Sequence, residues 1–211
     1  MRCAAAGRPA HACVHMRAPM HACALAQHRH HHRRMTARTR RARVTPDRRM
    51  LSGAALAGNP GPTGQGSVLF GADGEPLRER LGNIGRQTNN VSEYVAFQNA
   101  LELALEECGE GGQVLVLGDS KLVLNQVTGV WQVSKPHLLP YRDRCQRLLK
   151  RFRTVAVSHV RREFNSHADA VANEALDAGE SSAIDRDATV STRLRLPPDV
   201  EADFRALQQG A

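Results

Sequence analysis

The sequence predicts an α/β domain, a mixed five-stranded sheet flanked by helices, across residues 50–179. Three observations carry this. Residues 65–72 and 77–86 are strand-like and flank Asp73-Gly74, a dipeptide suited to a hairpin turn. Helix-like and strand-like segments alternate after them. The run Val114-Leu115-Val116-Leu117 is wholly apolar and closes on Gly118-Asp119, as a central strand buried on both faces does.

Each element has its own signal. Arg48-Arg49-Met50-Leu51-Ser52 makes a poor central strand, with two charges and no β-branched residue. After the hairpin, Asn89-Asn90 suits a helix cap. Tyr94, Phe97, Leu101, Leu105 and Cys108 then recur at helical spacing, which puts Glu93 in the first turn. Gly109 and Gly111-Gly112 end that helix. The apolar strand follows, then a short helix over 120–127. Residues 140–152 read as an amphipathic helix with Tyr141, Cys145, Leu148, Leu149 and Phe152 on one side. Residues 154–160 alternate as a strand, and residues 168–178 form a helix with Ala172, Ala175 and Leu176 inward. From Glu180 the chain is a polar C-terminal tail (180–211) with Pro197-Pro198, expected to be appended to the core.

Charge divides the chain. Residues 1–49 hold twelve Arg and a single acid, Asp47, whereas the remainder carries 17 basic and 20 acidic residues. The high isoelectric point therefore belongs to a leader, residues 1–49, rich in Arg, Ala and His and expected to be disordered. Cys3, Cys13 and Cys23 recur every ten residues within it, as low complexity rather than as a ligand set. The run from His28 to Arg34 is open to two functional readings, metal or nucleic-acid binding. With only Cys108 and Cys145 in the body, a disulfide scaffold is excluded and an intracellular setting expected. An organelle fits if the leader is a transit peptide, though it lacks Ser; otherwise the nucleus or cytoplasm. No stretch approaches the ~18 apolar residues of a membrane span, and no protein partner is implied.

Three acids stand out: Glu93, Asp119 and Asp169. Taken singly, each has an ordinary reading. Asp119-Ser120 after a strand is a helix cap, and a Glu or Asp near a helix start complements the dipole. Gly58-Asn59-Pro60-Gly61-Pro62 is first of all a turn. In an open α/β sheet, however, ligands gather at the carboxyl ends of strands, where Asp119 stands.

Order and spacing together say more. Five motifs occur in one sequence: Gly58-Asn59-Pro60-Gly61-Pro62-Thr63-Gly64, Thr88-Asn89-Asn90-Val91-Ser92-Glu93-Tyr94, Gly118-Asp119-Ser120-Lys121-Leu122-Val123, Val130-Trp131-Gln132-Val133, and the stretch from His159 through Arg161, Arg162, Asn165 and His167 to Asp169 and Asn173. Over residues 53–178 the chain resembles the type 1 ribonuclease H family, in its compact, reverse-transcriptase-like branch. The resemblance implies a ribonuclease H-like sheet and hydrolysis of the RNA strand of an RNA–DNA hybrid. It also implies two Mg²⁺ (or Mn²⁺) ions held by carboxylates, since hard cations prefer oxygen ligands. Glu93, Asp119 and Asp169 match metal-binding catalytic acids, and His159 matches a histidine that assists product release. Asn59 and Asn165 match residues that touch the hybrid, and Arg161 and Arg162 replace a flexible glycine-rich loop as further nucleic-acid contacts. From Pro140 to Arg162, eight basic residues face one acid, Asp143, which suits a polyanionic partner. Trp131 reads either as packing on nucleic acid or as a core residue.

One position departs. The family's first strand ends in an Asp that bridges both metals, and here that position is Gly53. Impaired cleavage is the expectation, with a catalytically inactive nucleic-acid-binding module as the alternative. The abrupt change of composition near Gly53 leaves two origins open: a degenerate relative, or a misread exon boundary ahead of an active enzyme.

Overall fold

The computed structural model describes residues 48–179 and 183–202. The leader's His-rich run and its three cysteines lie outside the described residues. Elements follow in the order β1 (Arg48–Leu56), β2 (Gly61–Gly71), β3 (Pro76–Gln87), α1 (Asn89–Cys108), β4 (Gln113–Gly118), α2 (Lys121–Val127), α3 (Leu139–Leu149), β5 (Thr154–His159), α4 (Ser166–Ala178) and β6 (Ile184–Asp187). They build one sheet of order β5-β4-β1-β2-β3-β6. β1, β2 and β3 pair antiparallel, while β4 lies parallel to both β1 and β5.

The weak-looking first strand is the centre of the sheet. Arg48-Arg49-Met50-Leu51-Ser52 pairs on both sides, with β2 and with β4, so its backbone groups are satisfied whatever its side-chain propensities. Met50 and Leu51 are fully buried, one in each of the two cores, and only the arginines reach partly out. Tertiary pairing overrides a poor local signal here.

The sheet separates two cores. On one face Met50, Leu69, Val114, Val116, Val155 and Val157 meet α1, α2 and α3. On the other, Leu51, Val68, Phe70, Leu115, Leu117 and Ala156 meet α4. The apolar run of β4 thus feeds both cores alternately, as the period of two requires. β2 receives α4 at close range. A Cβ on Gly64 would run into the Ala172 carbonyl, and one on Gly66 into the Ala168 carbonyl. These two glycines let the helix lie directly on the strand, which seats Asp169 near the sheet.

Most element boundaries follow the periodicity. α1 ends at Gly109, which takes φ 73° and returns its N–H to the Leu105 carbonyl at 2.8 Å. α3 stops at Leu149, three residues short of expectation, although Phe152 remains buried beyond it.

The C-terminal segment differs from expectation. It adds a sixth strand, β6, antiparallel to β3, and it buries Leu194 and Val200 in the α4 core. Its polar residues hid this, because their partners lie a hundred residues away: Arg80 Nε donates to Asp185 Oδ1 at 2.6 Å, and Arg186 Nε to Glu79 Oε2 at 2.9 Å. Among the described residues no helix is long and apolar enough to cross a membrane.

Candidate active site

Three elements bring the acids to one end of the sheet. β4 delivers Asp119 immediately after its last residue, Gly118. α4 presents Asp169 from its first turn. α1 starts at Asn89 behind Thr88, which moves Glu93 out of the first turn. Dipole complementation therefore does not explain Glu93. Instead it lines a shallow pocket together with Asp119, Ser52 and Phe97.

Gly53 faces the same place. A Cβ built on it would stand 3.1 Å from Asp169 Oδ1, 3.1 Å from Asn165 Nδ2 and 3.3 Å from the Ala168 Cβ. The position that lacks a carboxylate is thus turned toward the acids, and its neighbours have closed in on it.

The acids feel one another. Burial, then the charge of Asp119, then that of Asp169 push Glu93 up to about 8, while Arg162 pulls it back. Asp169 is raised by burial and by Asp119, again against Arg162. Arg162 Nε lies 3.3 Å from Asp169 Oδ2, and both charges are partly open to solvent. Crowded carboxylates with a single guanidinium nearby leave a deficit of positive charge.

Asn165, expected to touch a bound nucleic acid, is fully buried at the start of α4. Its Nδ2 donates to the Ser52 carbonyl at 2.9 Å and to Asp119 Oδ1 at 3.2 Å. Both partners are acceptors, which fixes the orientation of the amide. Asn165 therefore ties β1 to the Asp119 carboxylate, while its own Oδ1 is buried without a hydrogen-bond partner. Ser52, which receives that bond, was missed in the sequence; nothing local distinguishes it from any strand serine.

The remaining expected residues lie around this centre. His159 ends β5 and pairs in register with Gly118, one strand over from Asp119. Asn59 is exposed on the β1–β2 turn and its Oδ1 accepts the Asn89 N–H at 3.2 Å, which joins the turn to the start of α1. Arg161 and Arg162 are exposed on the approach to α4. Trp131, 49% exposed beside Val130, stands on the loop after α2 rather than in the core. His167 is partly buried with its ring edge-on to Phe70.

The basic stripe is weaker than its count. Arg144 pairs with Glu102 of α1, Arg151 with Glu110 in the turn after it, and Arg142 with Asp143. Arg147, Lys150 and Arg153 remain exposed. Sequence counting over one stretch could not see acids supplied by another.

The donor set suits a hard divalent cation in kind, since all three groups are carboxylates in a site short of positive charge. It does not suit one in number. Position 53 offers no ligand, and among the described residues no three His, Cys, Asp or Glu side chains are grouped to share a metal ion. A preformed two-ion centre does not fit this site.

Comparison with known proteins agrees with this geometry. Residues 53–175 match the profile of a family described as reverse transcriptase-like. A ribonuclease HI of Halobacterium salinarum is 44% identical over 123 residues, covering 58% of this chain and 61% of the relative. A bifunctional protein of Mycobacterium tuberculosis is 41% identical over 131 residues, covering 60% of this chain and 34% of that one. The chain therefore spans under two thirds of the length of these relatives. Among solved structures, RNase H1 from Halobacterium salinarum superposes with a TM-score of 0.59 at 42% identity, covering 63% of this chain and 98% of that one. LC11-RNase H1 in complex with an RNA/DNA hybrid gives 0.59 at 33% identity, covering 62% and 97%. With more than half its length matched, the chain belongs to the reverse transcriptase-like family of type 1 ribonuclease H domains.

Proposed function

We propose that this domain binds RNA–DNA hybrids and hydrolyses their RNA strand in a divalent-metal-dependent reaction, and that cleavage by this chain is severely reduced. The orientation of Gly53 carries the proposal: the direction in which a carboxylate would project leads to Asp169 and to Asn165, whose amide holds Asp119. Glu93, Asp119 and Asp169 are the candidate donors for Mg²⁺ or Mn²⁺. Without a fourth acid they lack the ligand that two ions would share, and loss of outer contacts alone costs metal sites ~10–100-fold.

The chain's own residues divide the remaining work. Asn165 holds Asp119 in place through its amide. Arg162 neutralises Asp169 and is exposed enough to turn to a phosphate. Asn59, Arg161 and His159 are the candidate contacts for a duplex backbone, and Trp131 offers a ring for a base or sugar. The low cysteine count of the body, Cys108 and Cys145 alone, supports a reducing, intracellular setting.

A second reading, a binding module without cleavage, is favoured by two observations: position 53 has no carboxylate, and Asp169 is already paired with Arg162. Initial rates on a labelled hybrid with Mg²⁺ or Mn²⁺ separate the two, with Asp119→Asn as the blank. Slow cleavage above the blank supports the enzyme. Equal rates, with hybrid binding retained by fluorescence anisotropy, support the module.

A further inference from the structure

Residues 183–200 lie beyond the stretch shared with the family, which ends at residue 175, yet they are built into the domain. The anchor is Glu79 on β3, whose side chain is fully buried. One of its oxygens accepts the N–H of Thr189 at 2.9 Å and that of Val190 at 3.0 Å. The other accepts Arg186 Nε at 2.9 Å. A buried carboxylate is costly unless it is charge-paired and hydrogen-bonded, and here the C-terminal strap supplies those partners.

The strap also grips α4 at three levels. The Arg186 guanidinium, already on Glu79, makes two hydrogen bonds of 2.6 Å to the Glu174 carboxylate of the helix. Nearer the helix start, the Thr192 carbonyl lies 2.9 Å from His167 Nε2. Between these levels, Leu194 and Val200 pack in the cluster that contains Ala168, Val171 and Ala175. Arg186 therefore bridges the sheet and the helix, with one carboxylate on each.

α4 carries Asp169 two residues after His167. Of the three acids, Asp119 is set by the central sheet and Glu93 by the longest helix, whereas Asp169 rides on α4, which rests on β2 at Gly64 and Gly66 and is held further by the strap. We infer that residues 183–200 act as a positioning strap that sets α4, and through it Asp169, against Glu93 and Asp119. The structural claim stands alone; its catalytic consequence rests on the function proposed above.

Hydrogen exchange tests the strap directly. Glu174→Gln breaks only the strap's ionic hold on the helix, at a half-exposed side chain, and leaves Glu79 satisfied. The expected result is exchange about fivefold faster along α4, the scale of one partly exposed bidentate pair, with α1 and β4 unchanged. Arg186→Gln should loosen α4 and β6 together, and Arg186→Lys should restore protection only in part, because an ammonium cannot grip two carboxylates as a planar fork does. Uniformly faster exchange in all elements would reduce the strap to a general stabiliser and overturn the inference. Unchanged exchange in α4 would overturn it as well. Neither readout needs cleavage, so a protein that cuts no hybrid would count against the function alone.

Discussion

Gly53→Asp places a fourth carboxylate among the three, and the structure sets both the cost and the gain. The new Cβ must be accommodated 3.1 Å from Asn165 Nδ2 and Asp169 Oδ1 and 3.3 Å from the Ala168 Cβ. The Asp169 carboxylate is partly exposed and can turn aside, whereas the Asn165 amide is held by the Ser52 carbonyl and Asp119, so the steric cost should be about 1–3 kcal/mol. Charge then adds to it. A like-charged pair at 4 Å costs about 4 kcal/mol at an effective dielectric of 20. Glu93 holds its proton up to about 8, which leaves Asp169 and Asp119 as the main opponents at neutral pH. Without divalent cations, the variant should be roughly 5–7 kcal/mol less stable than the unaltered chain, a fall of about 10–28 °C in melting temperature. Gly53→Ala carries the steric part alone and isolates the charge by difference. Mg²⁺ should return most of the charge-dependent loss, and hybrid cleavage should rise by about 100-fold or more. The assays are calorimetry with and without Mg²⁺, and initial rates on an end-labelled hybrid. A folded Gly53→Asp no faster than Asp119→Asn would refute the reasoning, as would melting temperatures equal to those of Gly53→Ala in both conditions.

Other predictions follow from single contacts. Glu93, raised to about 8, keeps a proton in the folded state that the unfolded chain releases near its ordinary value, so without divalent cations stability should decline as pH rises through that window. The loss is at most about 5 kcal/mol, and urea titrations at pH 5 and pH 9 should show it in the unaltered chain but not in Glu93→Gln. Asn165→Ala leaves the buried Ser52 carbonyl without its donor and should cost about 1–3 kcal/mol, read as a lowered melting temperature. Glu79→Ala strips Arg186 and two backbone N–H groups of their acceptor and should cost about 3–5 kcal/mol by urea unfolding, with Glu79→Gln losing less.

The elements themselves were legible because their signals are local. Helical spacing located α1, and alternation with turn chemistry located β2, β3 and β5. The order of the motifs pointed to the three acids before any coordinates, and the fold brings those acids to one end of the sheet. Local signals misled where tertiary partners prevail. Two arginines and no β-branched residue argued against β1, yet pairing with β2 and β4 makes it the central strand. The stretch from Pro140 to Arg162 looked strongly basic until Glu102 and Glu110 met two of its arginines.

By itself, then, the sequence determined the kinds and order of the elements from β2 to α4 and pointed to the three acids and to the departure at Gly53, because periodicity and motif spacing are properties of neighbouring residues. Only the tertiary structure showed that Asn165 is a buried tie to β1, since its partner Ser52 lies 113 residues away. The same holds for the polar C-terminal segment, which becomes β6 and a strap through a carboxylate 110 residues earlier in the chain. A polar side chain shows in sequence only what it can offer; which group accepts the offer depends on what folding brings beside it.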